Sequence, residues 1–214
     1  PAFWWRHLGG HFPRGPVTTI AVIGTAGRGS DADRLDARVY GLIREAVRTE
    51  VRKLPRPWCL VSGAAAYADH VAVDFFTEDT ADSLTLHLPA PFVIGGLGES
   101  SHFDERAESG RTANYYHRLF TDKLQASGAL PSSFDDLAHV MEWGASVFVH
   151  DGFHARNLFV GRVDVLIAAT FGRGSVPKDG GTKHCWDNSP APKKIHIPIE
   201  TLICPATTEQ LSLL

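Results

Sequence analysis

The sequence is poor in the features that mark several large function classes. It has three cysteines, Cys59, Cys185 and Cys204, an odd number without CxxC spacing. Neither a disulfide framework nor a zinc site is therefore expected, and a reducing, cytoplasmic compartment fits best. Positive charge is not in excess: 21 Lys and Arg stand against 24 Asp and Glu, a net charge of -3. A broad basic surface that would neutralise phosphates is thus not expected, and nucleic acid is an unlikely partner, whether duplex or single strand. No apolar run approaches the roughly 18 residues of a membrane span, and Pro1–Pro16 lacks the charged-then-apolar order of a signal peptide. The 11 histidines make no HExxH and no H-x-E pairing with cysteine spacing, so no metal site is expected. GxSxG is absent, which removes the nucleophile elbow of a hydrolase. No cofactor is implied.

What is present is a chain of 214 residues with 43% hydrophobic residues, 20 glycines and 13 prolines, long enough for one sizeable core. Residues 1–16, with Phe3, Trp4 and Trp5 among Gly and Pro, read as an irregular arm whose aromatics pack on the domain or on a second subunit. Residues 17–214 read as a single domain. Val17–Ile23 is a β-branched run without polar alternation, as expected of a parallel strand covered on both faces. Apolar positions from Asp31 to Leu54 follow a helical period, with Asp31 or Asp33 as N-cap. Trp58–Val61 reads as a second strand running into small residues and a helix. Leu84–Leu88 is a third strand, followed by a long loop rich in Gly, Ser and acids. Helices are expected over Arg111–Leu124, Phe134–Trp143 and Ala155–Val163, and strands over the apolar run that ends at Phe171-Gly172 and over Ile195–Ile199. Strands alternating with helices predict an α/β, Rossmann-like and mainly parallel sheet with helices on both faces. Ligands in such sheets bind beyond the carboxyl ends of the strands.

Three constellations fall at such ends. Gly24-Thr25-Ala26-Gly27-Arg28-Gly29-Ser30 follows the first strand. Its glycines allow a tight turn, its amides and the following helix favour a phosphate, and Arg28 adds a charged contact; an ordinary tight connection would look the same. The spacing matches neither GxGxxG nor the P-loop. Ser62-Gly63-Ala64-Ala65-Ala66-Tyr67-Ala68-Asp69-His70 repeats the arrangement, with Asp69 accepting from ribose hydroxyls or from the first loop, or with the alanines simply packing a helix on the sheet. Arg156 and Asn157 precede a strand and the turn Asp179-Gly180-Gly181-Thr182, where Thr182 and adjacent amides suit phosphate or ribose. Arg156 reads either as a ligand clamp or as the structural partner of a carboxylate such as Asp164. Tyr115, Tyr116 and His117 read as a stacking face for a base or as buried aromatics. Asp104, Glu105 and Glu108 beside Arg106 and Arg111 read as a solvated loop or as a lid over the ligand.

The order of these segments, VIG-G, LVSGAAAYADHVA, HARN, DVLIAA and GGT, resembles the SLOG superfamily of Rossmann-like proteins. That superfamily includes DprA, the lonely-guy phosphoribohydrolases and the YspA-like nucleotide-sensor families, and the YspA-like branch is the most similar. The resemblance runs from about Val17 to Leu202. It implicates Gly24, Ser62, Gly63, Asp69, Arg156, Asn157, Gly180, Gly181 and Thr182 in ligand binding; the loop readings add Thr25, Ala26, Gly27, Arg28 and Ala64. Lonely-guy enzymes carry PGGxGTxxE, whereas DGGTKHCWD here lacks both the proline and the glutamate. Against SGGxxGxD, Ala64 stands for the second glycine and Ala68 is read as standing for the later one. The resemblance implies a nucleotide or nucleotide-derived, ADP-ribose-like small molecule as partner, held by a sensor or sequestering module. The alternative is an N-glycoside hydrolase acting on a nucleoside monophosphate, with Asp69 and Asp187 as catalytic carboxylates and Asp179 and Glu142 as further candidates. Together with the aromatic arm, the resemblance also implies a homo-oligomer.

Overall fold

The computed structural model describes residues 16–126, 128, 132–178 and 180–204. The aromatic arm and Asp179 lie outside the described residues. β1 (Thr18–Gly24) leads through a short α1 (Asp31–Arg34) to α2 (Ala37–Val51), and β2 (Trp58–Ser62) through a 3-10 turn at Tyr67–His70 to α3 (Val71–Thr77). β3 (Ser83–Leu88) is followed by a small hairpin, β4 (Phe92–Val93) and β5 (His102–Phe103), and by α4 (Glu108–Gln125) and α5 (Ser133–Glu142). Then come β6 (Ser146–Val149), α6 (Gly152–Val160), β7 (Val165–Thr170), α7 (Gly180–Asn188), β8 (Lys193–Pro198) and α8 (Ile199–Ile203).

Six strands form one sheet in the order β6-β3-β2-β1-β7-β8, and every neighbouring pair in it is parallel. The expected α/β, Rossmann-like parallel sheet is therefore what the chain builds. Successive side chains of a strand point to opposite faces, and the two layers divide accordingly. Ile20 and Val22 of β1 and Ile167 of β7 pack with α2, α3 and α4 on one face. Ala21 and Ile23, with Leu166 and Ala168, pack with Val160 of α6 and Cys185 and Trp186 of α7 on the other. Because β1 and β7 are covered on both faces, their sequences are continuous apolar runs. No helix among the described residues is long and apolar enough to cross a membrane.

The strand order locates the site. From β1 the chain moves to β2, β3 and β6 on one side, then crosses to β7 and β8 on the other. The order reverses between β1 and β7, and the loops leaving their carboxyl ends diverge to leave a crevice.

Four local expectations are corrected. The helix expected from Asp31 breaks at Leu35, which is extended (φ -94°, ψ 125°). The N-cap of the long helix is Asp36, whose carboxylate accepts from the Val39 amide at 2.8 Å, in place of Asp31 or Asp33. The break at residues 35–36 leaves Leu35 in the β region, fully buried in the core. Ser146–Val149 is a strand that periodicity missed, since four residues are too few to alternate. The GGT turn opens α7: Gly180 has φ +74° and Gly181 and Thr182 form the first helical turn. The long loop after β3 is pinned by buried Asn114, which accepts from the Phe103 amide at 2.8 Å and donates to its carbonyl at 2.9 Å, substituting for a neighbouring strand.

Candidate functional site: a cavity at the strand-order reversal

A cavity of about 500 Å³ opens at the carboxyl ends of β1 and β7. Gly24 is its floor and the junction of four segments. An added Cβ there would lie 2.1 Å from the Ala169 carbonyl oxygen and 2.5 Å from the Ala68 Cβ, so β1, β7 and the 3-10 turn converge only because position 24 has no side chain. The Gly24 amide donates to Asp69 Oδ1 at 3.1 Å, and its carbonyl accepts from the Thr182 hydroxyl at 2.8 Å. The Thr25 amide donates to Ala169 O at 3.0 Å, and Asn157 Nδ2 donates to Gly181 O at 3.1 Å. These bonds draw the first loop, the second loop and the start of α7 around one space, with the first-turn amides of the helix at its end.

Behind this floor sit two buried ionisable groups, Asp69 and Arg156. Arg156 donates from Nη1 to the Gly63 carbonyl at 2.6 Å and grips the Asn157 side-chain oxygen with Nη2 at 2.8 Å and Nε at 3.1 Å. A Cβ on Gly63 would meet both the Arg156 Cζ at 2.6 Å and Asp69 Oδ2 at 2.8 Å. Gly63 thus lets the guanidinium and the carboxylate share one face of the backbone. Burial raises the Asp69 carboxyl above its ordinary range, opposed by the Arg156 charge and by the Gly24, Gly63 and Ala65 amides. Asp69 Oδ2 is buried without a hydrogen bond of ordinary geometry among the described residues. Burial likewise lowers Arg156, with Asp69 acting against the shift. The sequence reading that paired Arg156 with Asp164 is corrected: Asp164 accepts from the Thr19 amide at 2.8 Å and hydroxyl at 2.7 Å.

The second loop adopts left-handed backbone at Ala64 (φ 51°) and Tyr67 (φ 58°), a region that favours glycine. In the SGGxxGxD pattern that this segment resembles, the spacing from Ser62 to Asp69 sets the later glycine against Tyr67 and not against Ala68. Ala68 packs against Gly24. His117 holds the strained segment: its Nε2–H donates to the Ala64 carbonyl at 3.0 Å and its Nδ1 lies 3.0 Å from the Ser133 hydroxyl.

Eleven of the sequence-derived ligand residues line the cavity: Gly24, Thr25, Ala26, Arg28, Ala64, Asp69, Arg156, Asn157, Gly180, Gly181 and Thr182. Gly27, Ser62 and Gly63 do not; they form the layer behind it. The Gly27 amide donates to the Thr25 hydroxyl at 3.2 Å, and Ser62 Oγ donates to Asp69 O at 2.8 Å while accepting from the Ala64 amide at 3.0 Å. Asp187 is corrected as a catalytic candidate: it lies off the cavity on α7, in an i,i+4 ion pair with Lys183. Glu142 is exposed at the end of α5. The lid reading is corrected too, because Asp104 pairs with Arg106 and Glu105 with Arg118, and none of these lines the cavity. Sequence reasoning pointed to Phe153 with the segment Phe153-His154-Ala155-Arg156-Asn157, and missed Asp31, Arg34, Thr170, Lys178 and Glu200 on the lining. Asp31, next to Ser30 of the first constellation, and Thr170, next to Phe171-Gly172 at a strand end, had a signal nearby.

The described residues nearest to a metal-ligand set are His70, Asp74 and Asp136, with one ligand atom each within 4.8 Å of the others. His70 Nε2 is 3.1 Å from Asp136 Oδ2, while Tyr40 and Arg44 already hold Asp74 Oδ2 at 2.7 and 2.9 Å. These contacts tie α2, α3 and α5 together beneath the turn that carries Asp69.

Comparison with known proteins gives no family model that matches the chain and no solved structure that matches it. The chain is similar to "Uncharacterized protein R261" of Acanthamoeba polyphaga mimivirus, with 29% identity over 184 residues that cover 83% of this chain and 94% of the viral protein.

Proposed function

We propose that the cavity binds a nucleotide or a nucleotide-derived, ADP-ribose-like small molecule, and that the protein acts as a sensor or sequestering module. One observation carries this reading: each carboxylate on the cavity wall accepts a hydrogen bond or pairs with a cation, whereas Arg28 and Lys178 of the same wall have no ion pair among the described residues. Asp69 accepts from the Gly24 amide, Asp31 accepts from the Thr25 hydroxyl at 3.0 Å, and Glu200 pairs with Arg34 at 3.2 Å. The amides at the start of α7 and the two cations without an ion pair suit an anion, and Tyr116 and Phe153 supply apolar faces for a base. The order of motifs shared with the SLOG superfamily supports the same reading.

The alternative, an N-glycoside hydrolase, draws on Asp69 alone. A buried carboxyl with a raised pKa is what a general acid requires, and Oδ2 has no hydrogen bond of ordinary geometry among the described residues. One experiment separates the two: thermal shift with nucleoside monophosphates, NAD, ADP-ribose and cyclic ADP-ribose, followed by chromatography of the recovered small molecules. At a concentration about 100 times Kd a bound ligand adds about 2.7 kcal/mol, roughly 5–10 °C for a chain of this size. A shift with intact ligand is the expected result. Released free base would make the protein a hydrolase, and no shift with any compound would remove the nucleotide reading.

The homo-oligomer expectation finds support at β6, whose outer edge is unpaired among the described residues. Val147, Phe148 and Val149 are exposed there, beside Leu158 and Phe159 of α6. The strand carries no charge, so two copies can pair edge to edge about a two-fold axis without like-charge contact. Light scattering after size exclusion is expected to give a dimer, and Phe148→Glu a monomer of unchanged thermal midpoint. A monomeric parent chain would overturn the expectation.

A further inference from the structure

Both aromatic surfaces of the cavity are capped by an arginine, but the two caps are built differently. Arg34 lies over Phe171, 4.0 Å from the ring centroid, and is tied down by its ion pair with Glu200. Arg28 lies over Tyr116 and Phe153, 5.4 and 5.6 Å from the ring centroids, and no hydrogen bond or ion pair among the described residues holds it. Its backbone sits between Gly27 (φ +78°) and Gly29 (φ +55°), and a Cβ at Gly29 would meet nothing within 4 Å. The arginine is therefore exposed, flanked by two glycines, and held only by the faces of two rings. Arg156 approaches the same Phe153 ring, 5.4 Å from its centroid, and the two like charges oppose each other.

Resting on the nucleotide reading above, we propose that Arg28 is a displaceable cap on a base-binding slot and selects for ligands that carry an aromatic base and a phosphate together. In the free protein the guanidinium covers the Tyr116 and Phe153 faces. A base that stacks there evicts it, and the freed guanidinium turns onto the phosphate seated at the α7 amides, whose negative charge offsets the repulsion between the two arginines. A nucleoside must evict Arg28 and gives it no new partner. Inorganic phosphate attracts Arg28 but leaves the rings uncovered. Only a nucleotide satisfies both ends, because the guanidinium exchanges an exposed cation–π contact for a charge-assisted hydrogen bond.

The test is calorimetric titration of the parent chain, Arg28→Gln and Arg28→Ala with four ribonucleosides, their 5′-monophosphates and inorganic phosphate. Arg28 is exposed, and both variants are expected to keep the parent's thermal midpoint. For the preferred base, either variant is expected to bind the nucleotide about tenfold more weakly and the nucleoside several-fold more tightly, about one decade of affinity for one charged contact. Equal losses for nucleoside and nucleotide would overturn the proposal, since Arg28 would then belong to the base platform. Unchanged affinity for both would overturn it as well. Failure of every nucleotide to bind the parent chain would instead remove the nucleotide reading, and this proposal with it.

Discussion

Gly24→Ala is expected to cost at least about 3 kcal/mol, seen as a fall of roughly 10 °C in thermal midpoint or as loss of folded protein. Most overpacked sites relax by moving a side chain. Here the obstacle 2.1 Å from the new Cβ is the Ala169 carbonyl oxygen, which is fixed by its hydrogen bond from the Thr25 amide and by the parallel register that sets Gly24 beside Ala169. Relief requires β1 and β7 to part where both are fully packed. Gly63→Ala provides the contrast. Its new Cβ would meet the Arg156 guanidinium and Asp69 Oδ2, which are side-chain ends able to shift, so stability is expected to fall less while ligand affinity falls more. Thermal unfolding paired with the nucleotide titration checks both. Equal stability losses in the two variants would show that the close approach at Gly24 is not what holds the sheet at this point.

Acid is expected to weaken the fold from within the site. His117 is fully buried beneath Ala64, and burial, helped by nearby His70, pushes its pKa down to about 3. The unfolded chain takes up a proton on this residue near pH 6.5, while the fold does not until far lower. The contribution of neutral His117 is thus complete above about pH 6.5 and is lost as pH falls toward 3, at about 1.4 kcal/mol per pH unit. Near pH 4.5 the loss is about 2–3 kcal/mol by the same arithmetic. His87, lowered to about 4 by burial and by His150, acts in the same direction. Asp69, raised by burial, acts in the opposite one, because the folded state holds its proton to higher pH than the unfolded chain does. Urea unfolding of the parent chain and His117→Gln at pH 7.0 and 4.5 isolates the histidine, because the other groups titrate in both proteins. The variant is expected to start lower and lose less between the two pH values. An identical loss would mean that His117 is not buried in its neutral form.

The alternation of apolar strands with helices was legible because β1 and β7 are covered on both faces, which requires unbroken runs such as Thr18–Gly24 and Val165–Thr170. The glycine-rich ends of those strands were legible for a related reason: at a strand-to-helix turn on a parallel sheet, close approach of backbones leaves no room for a Cβ. Where signals competed, the reading failed. Asp31, Asp33 and Asp36 are all acceptable caps by chemistry, and burial of Leu35 chose Asp36. Ala64 and Tyr67 hide a conformation that glycine would have announced, because tertiary contacts, His117 among them, stabilise it.

By itself the sequence determined the class of fold, the segments that line the cavity and most of its polar lining, since each follows from local period, turn chemistry and charge. Which carboxylates face the cavity was decided by helix spacing and by tertiary structure together. Asp187 was taken out of the site by Lys183, four residues away on the same helix face, whereas Asp69 was placed opposite Arg156 across Gly63 by the convergence of β2, the 3-10 turn and α6. The placement of Asp69 opposite Arg156 depends on a distance between segments more than 80 residues apart in the chain, and no local period or spacing encodes a distance of that kind.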